Sequence, residues 1–322
     1  MKHIEWGYLI VSYLFLGGLS AGLYFVSALA TLLQNNGNTQ DGAYRRIAKL
    51  GALLAPWPVI IGSTLLIFDL GKWYRFWKLF LHVRWTSPMS VGSWLLIGFS
   101  VVSLLYCFAW LAEGQRAWIF ARIPKRFAFL QTFNVDLSAK QRPLALIGLP
   151  IAVGVGIYTG VLLGAVQSRP FWNTNLVAQL FLFSALSTGC ALLMLLLALD
   201  HSPGGSKEFQ LLYSLDIGLM TLEFFIVLPY IIHGQLSVQA VKNSLELILG
   251  GPFTLLFWVF FLGLGLLLPL MIETVESIPA VVSRATVHYN QRLTAVAALL
   301  VLGGGFLLRY IFVFAGQMSR FD

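Results

Sequence analysis

Residues 175–199 read NLVAQLFLFSALSTGCALLMLLLAL and contain no acidic, basic or histidine side chain. As an α-helix, a stretch of this length is about 37 Å long, which exceeds the roughly 30 Å thickness of the hydrocarbon core of a bilayer. Water cannot satisfy backbone polar groups inside the bilayer, and a helix satisfies them internally. This stretch therefore predicts a transmembrane helix.

Apolar stretches of this kind recur along the chain, and they determine its fold class. The 322 residues are 58% hydrophobic and 11% charged, whereas soluble domains have about 25% charged residues. The composition predicts an all-α, polytopic protein of the lipid bilayer with about eight transmembrane helices. We place these helices at 8–33, 48–70, 90–112, 144–166, 175–199, 208–233, 247–271 and 292–316.

A short motif occurs twice and suggests an internal duplication. Leu-Ser-Ala-Gly at 19–22 resembles Leu-Ser-Thr-Gly at 186–189, and each follows a Leu- and Phe-rich run. Parallel repeats occur in some membrane transporters. We therefore predict two four-helix bundles. The first comprises residues 1–166, with an amphipathic surface segment at 113–143, and the second comprises residues 167–322.

The distribution of basic residues predicts the orientation in the membrane. One side of the predicted topology has twelve Lys and Arg residues, and the other side, where both termini lie, has eight. Cytoplasmic loops are the more basic ones, so we expect both termini to be periplasmic in a bacterial inner membrane. The net charge of +8 is spread over short loops and does not indicate nucleic-acid binding.

The loop that follows the second predicted helix departs from this charge trend. It is basic although it lies on the predicted outer side, and large aromatic residues alternate with its basic residues. An aromatic and basic interface belt is one interpretation, and docking of a partner protein is the other, since Arg and Trp are common interface anchors. The candidate docking residues are Lys72, Trp73, Arg75, Trp77 and Lys78.

Ionisable side chains within the membrane are the first candidates for function, because their burial is unfavourable. Asp216 and Glu223 lie seven residues apart on one face of the sixth predicted helix, Arg309 lies in the eighth, and Asp69 lies at the outer end of the second. Buried carboxylates can take up and release protons, which predicts a proton pathway through Asp216 and Glu223. Pairing of a carboxylate with Arg309 for stability is the alternative.

Redox groups held by this chain are not expected. A transmembrane haem requires axial ligands inside the membrane, and all five histidines fall in loops or at helix ends. The two cysteines, Cys107 and Cys190, are far apart in sequence. We therefore expect no haem, no iron–sulfur cluster and no other metal site in this chain.

Several further short motifs are distributed from the first helix to the C-terminus. Each is weak alone, but together they span the whole chain in a fixed order. They are Trp6-Gly7, Tyr13 to Gly22, Phe76-Trp77-Lys78-Leu79, Thr86 to Ser90, Tyr158-Thr159-Gly160, Ser168 to Phe171, Leu308-Arg309-Tyr310 and Ala315-Gly316-Gln317.

This set of motifs resembles the NrfD/PsrC family, the membrane subunits of formate-dependent nitrite reductase, polysulfide reductase and related respiratory enzymes. The resemblance implies that a quinol, such as menaquinol, binds near the outer face and is oxidised there. Its electrons would pass to a ferredoxin-like, multi-cluster iron–sulfur subunit. They would then reach a periplasmic catalytic subunit, either a molybdopterin enzyme or a multihaem cytochrome.

The resemblance also implies roles for individual residues. Tyr158 matches a tyrosine that hydrogen-bonds a quinone carbonyl, and Asp69 matches an acidic position beside that pocket. Tyr13 falls at a second quinone contact, where polysulfide reductases can have a histidine. Asp216, Glu223 and Arg309 match polar positions assigned to quinone or proton chemistry. The catalytic candidates are Tyr158, Asp69 and Arg309. The loop 72–85 falls where the family docks its iron–sulfur partner.

Two other functions remain compatible with the sequence. The chain would be a membrane anchor or ion-translocating module if it bound no quinol. It would be a secondary transporter if its mid-membrane acids bound a coupling ion, although such proteins usually have broken helices at that site. The terminal acceptor is not encoded in this chain. Nitrite, polysulfide, thiosulfate and tetrathionate all fit, because another subunit selects it.

Overall fold

The computed structural model describes residues 6–34, 44–69, 74, 76–77, 84, 86–121, 137–200, 206–283 and 289–319. Within these ranges the chain forms helices and no β-strand. The helices are α1 (Tyr8–Leu33), α2 (Arg45–Leu54), α3 (Pro56–Asp69), α4 (Pro88–Trp110), α5 (Glu113–Ala121), α6 (Gln141–Gly164), α7 (Leu176–Leu199), α8 (Ser206–Gln235), α9 (Gln239–Leu249), α10 (π-helical over Leu256–Leu267 and α-helical over Leu268–Ser283) and α11 (Gln291–Met318).

Eight spans in the described part of the chain are long and apolar enough to cross a membrane. They are α1, α2 with α3, α4, α6, α7, α8, α10 and α11. The prediction of an all-α polytopic membrane protein is thus confirmed. Because the number of spans is even, α1 begins on the side where α11 ends. We call this the terminal side, and the other the opposite side.

The second span differs from the single helix predicted over 48–70. It consists of α2 and α3, with the break at Ala55 just before Pro56. Proline has no amide hydrogen to donate and its ring crowds the preceding turn, so helices commonly break there. The Ala55 carbonyl at the break accepts a hydrogen bond from the Ser20 hydroxyl of α1.

The predicted bounds of the seventh span, 247–271, were wrong. The observed span covers Leu256–Ile278, and the apolar residues up to Leu249 belong instead to the short helix α9. Gly250 and Gly251, followed by a proline, separate the two helices. A hydropathy pattern does not distinguish an amphipathic surface helix from the first turns of a span, so the predicted boundary began too early.

Two helices, α1 and α7, form the centre of the molecule and have the largest buried share among the spans. They touch backbone to backbone at Gly22 and Gly189, the glycines that end the two repeated motifs. A Cβ atom on Gly189 would overlap the backbone of Gly22, and one on Gly22 would overlap the carbonyl of Ala185. Small residues allow such close approach in lipid. The division into halves at residues 166 and 167 stays a prediction.

The terminal side is closed by contacts between three distant parts of the chain. The Gln317 side chain accepts from the Trp6 amide and donates to the Trp6 carbonyl, both at 2.9 Å. Arg169 donates to the carbonyls of Gln317 and Ser319 at 2.6 and 2.9 Å. Trp172 stacks on Trp6 with ring centroids 5.2 Å apart. Three residues of the short motifs that span the chain, Trp6, Arg169 and Gln317, therefore hold the start of α1 against the end of α11.

The glycine crossing gives a direct test of this packing. We expect Gly189→Ala to destabilise the protein by about 1–3 kcal/mol, as overpacking of a filled core does. Gly218→Ala is the matched control, because a Cβ atom at this mid-helix glycine of α8 meets nothing within 4 Å. Thermal unfolding of the purified protein in detergent measures both. Equal melting temperatures for the two variants would contradict the close crossing.

Candidate functional site

Three consecutive residues of α6 contact three different helices near the terminal side. The Tyr158 ring lies against Gly92 of α4, where a Cβ atom would overlap the ring. Thr159 packs on Gly17 of α1, and Gly160 packs on the backbone of α7, where a Cβ atom on the glycine would lie 2.5 Å from the Ala178 Cα. This arrangement gives a structural reason for the Tyr-Thr-Gly motif, since each residue has a different neighbour.

The hydroxyl groups of Tyr158 and Tyr13 are neighbours between α6 and α1. Tyr13 is fully buried and Tyr158 is 7% exposed. The Tyr13 hydroxyl makes no hydrogen bond of ordinary geometry to any described residue. A buried hydroxyl without a partner loses about 1–3 kcal/mol of hydrogen-bonding free energy. The pair therefore offers a donor and acceptor group to a polar ligand.

Asp69 lies on the same side of the membrane as the tyrosine pair. It is the last residue of α3, seven residues beyond Gly62, and Gly62 packs on Tyr13 and Leu16 of α1. Its side chain is partly exposed. The tyrosine pair is inside the bundle, and Asp69 lies about two helical turns further toward the terminal side. Asp69 is thus suited to exchange protons with the aqueous side.

Arg309 lies elsewhere, between α11, α7 and α1, and it is fully buried. Its guanidinium donates to the Ser184 hydroxyl at 2.6 Å and to the Phe181 carbonyl at 3.3 Å. The Ser184 hydroxyl also faces the Glu223 carboxylate, which interacts electrostatically with Arg309. A Cβ atom on Gly18 would lie 3.2 Å from the guanidinium. Arg309 and Glu223 are thus buried near each other and interact electrostatically, with the Ser184 hydroxyl between them. We call these two residues the charge pair.

Asp216 has a partner that the sequence pattern did not indicate. Its carboxyl group lies within hydrogen-bonding reach of Glu273 of α10, and both side chains are 0% exposed. Neither carboxyl receives a hydrogen bond of ordinary geometry from a described donor. Asp216 and Glu223, predicted as a line along one helix face, therefore have different nearest partners on different helices.

The structure describes one of the five predicted docking residues. Trp77 is 49% exposed, whereas Lys72, Trp73, Arg75 and Lys78 lie outside the described residues. Of the predicted surface segment 113–143, the part that is described forms the helix α5 and the first turns leading to α6.

The second half contains a cavity of about 140 Å³ that no sequence pattern indicated. Tyr230 and His233 at the end of α8, Asn173 of the loop between α6 and α7, and Ser237 contribute to its wall. The Tyr230 hydroxyl is already bonded to the Phe171 carbonyl at 2.9 Å. The predicted site residues do not line this cavity.

The family relationship of the chain is shown by its match to known proteins. The family model described as "Polysulphide reductase, NrfD" matches residues 1–320. The chain belongs to the NrfD family. The match covers nearly the whole chain, and the resemblance to this family seen in the sequence is confirmed.

Individual relatives of this NrfD-family chain include a chain of a polysulfide reductase and an integral membrane subunit of a menaquinol oxidoreductase. Protein NrfD of Escherichia coli (strain K12) is 32% identical, with 99% of this chain and 96% of the relative covered. A polysulfide reductase chain of Wolinella succinogenes is 30% identical over 98% and 95%. The Hdr-like menaquinol oxidoreductase integral membrane subunit of Archaeoglobus fulgidus is 23% identical over 98% and 72%.

The family and the fold together establish a coarse identity. This NrfD-family chain is a multi-pass membrane protein of the kind that forms subunits of reductase complexes. Respiratory electron transport fits that membership.

The buried charge pair of this NrfD-family chain can be tested by a double-mutant cycle. We expect Arg309→Met to destabilise the protein by about 3–5 kcal/mol, because Glu223 is then left as an unpaired buried charge. Adding Glu223→Gln should restore part of the loss. The control is Arg292→Met, an exposed position on the same helix, for which we expect a change within about 0.5 kcal/mol. Chemical unfolding in detergent measures all of these proteins, and strict additivity would contradict the pairing.

Proposed function

We propose that this chain is the quinol-oxidising membrane subunit of a respiratory reductase complex, and that it binds the quinol beside Tyr158, Tyr13 and Asp69. The observation that supports this most is the buried Tyr13 hydroxyl, which lacks an ordinary hydrogen bond and faces Tyr158. A quinol ring is flat and has two hydroxyl groups. It can supply the missing partner and lie against a tyrosine ring that is itself held on a glycine.

The chemistry of quinol oxidation matches the positions of these residues. Oxidation of one quinol to a quinone releases two electrons and two protons. We propose that Tyr158 holds one ring oxygen in place and that Asp69, which is partly exposed at the end of α3, accepts the two protons one after the other and releases each to the terminal side. The two electrons pass to a partner protein. The tyrosines act by hydrogen bonding and remain neutral, so Asp69 is the group that moves the protons.

Access from the bilayer is consistent with a lipid-soluble substrate. The span formed by α2 with α3 and the span α4 are the least buried spans of the first half. They expose large apolar side chains at their terminal-side ends, among them Phe68, Met89 and Trp94. An isoprenoid tail can lie along such a surface while the head group enters toward Tyr158. We propose menaquinol as the substrate, in keeping with the name of the Archaeoglobus relative.

Electrons must leave through another protein, and the terminal side is where we propose that this protein docks. The partner would be a ferredoxin-like, multi-cluster iron–sulfur subunit, which reduces a periplasmic catalytic subunit in turn. The proposed docking surface is the basic and aromatic loop with Lys72, Trp73, Arg75, Trp77 and Lys78.

We further propose that Arg309 assists quinone chemistry through Glu223, and that Asp216 and Glu223 belong to a proton pathway.

Substitutions of matched tyrosines test this proposal. In the intact complex, we expect Tyr158→Phe to lower kcat/KM for a water-soluble menaquinol analogue by about 5- to 150-fold, the factor implied by about 1–3 kcal/mol for leaving a buried ring oxygen without its hydrogen bond. Tyr24→Phe is the control, because this buried tyrosine of α1 bonds the Leu144 carbonyl at the other end of the helix. We expect its kcat/KM to stay unchanged.

A pair of glycine variants in α4 provides a second, independent test. Gly92→Ala displaces the Tyr158 ring and should impair the same kinetic step, whereas a Cβ atom on Gly98 meets nothing within 4 Å, so Gly98→Ala should not. Wild-type activity in both Tyr158→Phe and Gly92→Ala would overturn the proposed site. An intact complex that oxidises no quinol would instead favour an anchor or an ion-translocating module.

A further inference from the structure

We infer that Asp216 and Glu273 form one proton-binding site, a carboxyl pair that shares a single exchangeable proton deep in the second half of the molecule. The inference deepens the proposed proton pathway, on which it depends for a role in turnover. It replaces a line of acids on one helix by a pair that spans two helices, and it adds Glu273, Glu276 and Tyr213 to the residues concerned.

The geometry of the pair supports a shared proton. Asp216 lies ten residues from the start of α8 at Ser206, and Glu273 lies ten residues from the end of α10 at Ser283. Both are therefore about 15 Å from the opposite-side ends of their helices. Their carboxyl groups face each other with 0% exposure. Two carboxylates in contact in a medium of low dielectric constant repel strongly, and one proton converts that repulsion into a hydrogen bond.

The surroundings of the pair supply no counter-cation within the described residues. The titratable groups that face it are Cys190 from α7, Glu223 and Tyr213 from α8, and Glu276 from α10. The nearby buried cation, Arg309, interacts with Glu223. A bound proton is therefore the charge that balances one of the two acids.

A second polar layer connects the pair to the opposite side. Tyr213 precedes Asp216 by three residues and Glu276 follows Glu273 by three, so both lie one turn nearer to that side. The Tyr213 hydroxyl donates to the Glu276 carboxylate at 2.5 Å and contacts the Thr294 hydroxyl of α11 at 2.7 Å. A polar chain therefore runs from the opposite-side end of the bundle to the acid pair.

The outermost member of this polar chain is Tyr289, just outside the spans. It stacks on Tyr213 with ring centroids 4.9 Å apart. Burial, and then the nearby Glu276 carboxylate, raise the pKa of the Tyr289 phenol, so it stays a neutral hydrogen-bonding group at physiological pH. Together, Tyr289, Tyr213 and Glu276 form an entrance through which a proton can reach the pair.

On the other side of the pair, two serines of α7 lead toward the charge pair of Arg309. The Ser187 hydroxyl is beside Asp216, is buried and makes no hydrogen bond of ordinary geometry. Ser184 lies one helical turn away and bridges Arg309 and Glu223. The proton site is thus the middle of a polar column that ends where we propose that quinone chemistry is assisted.

Infrared spectroscopy can count the protons bound to the acid pair, because each protonated carboxyl group has its own carbonyl band. In the complex held at neutral pH, we expect the double variant Asp216→Asn/Glu273→Gln to lose the carbonyl band of one carboxylic acid, and that band should shift when H₂O is exchanged for D₂O. The matched control Glu246→Gln removes an exposed acid of α9 and should leave the band intact. The Glu223→Gln variant distinguishes any contribution from that acid.

Loss of any other number of carboxylic acid bands in the double variant would overturn the inference. Loss of two carboxylic bands would mean a static pair in which both acids are protonated. Loss of none would mean two carboxylates, held together by a bound cation if sodium changed the carboxylate bands. The count does not require quinol oxidation, so it stays valid if the proposed quinol site fails.

Exchange kinetics test the entrance separately. The Tyr213→Phe variant removes the hydroxyl that links Glu276 to Thr294, so we expect the D₂O-induced shift of the band to develop several-fold more slowly. The band itself should keep its intensity, because the pair is unaltered. Exchange at the wild-type rate would overturn the assignment of the entrance.

In proteoliposomes, Glu273→Gln should lower the number of protons taken up per electron while Tyr24→Phe leaves it unchanged.

Discussion

The close crossing of α1 and α7 at Gly22 and Gly189 is the constraint on which the other contacts of the molecule depend. Because the two backbones touch there, neighbouring helices come within reach of both. On one side of the crossing, α6 packs between α1, α4 and α7, and this sets Tyr158 beside Tyr13. On the other side, α11 packs against α7, and this brings the guanidinium of Arg309 to Ser184. The position of the tyrosine pair and that of Arg309 therefore both depend on this crossing.

Hydropathy explains which transmembrane helices could be predicted from the sequence and which could not. The span 8–33 was predicted with the observed bounds, because an apolar helix of that length has few alternatives in lipid. The prediction of 247–271 failed because α9 is also apolar on one face and a two-glycine break does not change mean hydropathy. That error had a functional consequence. Glu273 fell outside the predicted span and was not among the candidate residues, although it is 0% exposed.

The sequence could not predict which helices pack against each other, and the reason is different. A seven-residue spacing shows that Asp216 and Glu223 share a helix face, but it does not show which helix faces each of them. The structure places Asp216 against α10 and Glu223 against α7 and α11. Tyr158 was found from its motif, whereas the role of Gly92 in holding its ring required coordinates, because no local pattern distinguishes Gly92 from Gly98.

The different surroundings of the buried acids determine what each can do. Glu223 is close to Arg309, whose positive charge makes the ionised form of Glu223 less unfavourable than that of a buried acid with no cation beside it. Asp216 and Glu273 have no such cation within the described residues, and their mutual repulsion makes proton binding the least unfavourable way to remain buried. A column with a proton-binding pair toward one side and a fixed charge pair toward the other is asymmetric. The two ends of the column therefore differ in proton affinity, which is the condition for a directional transfer.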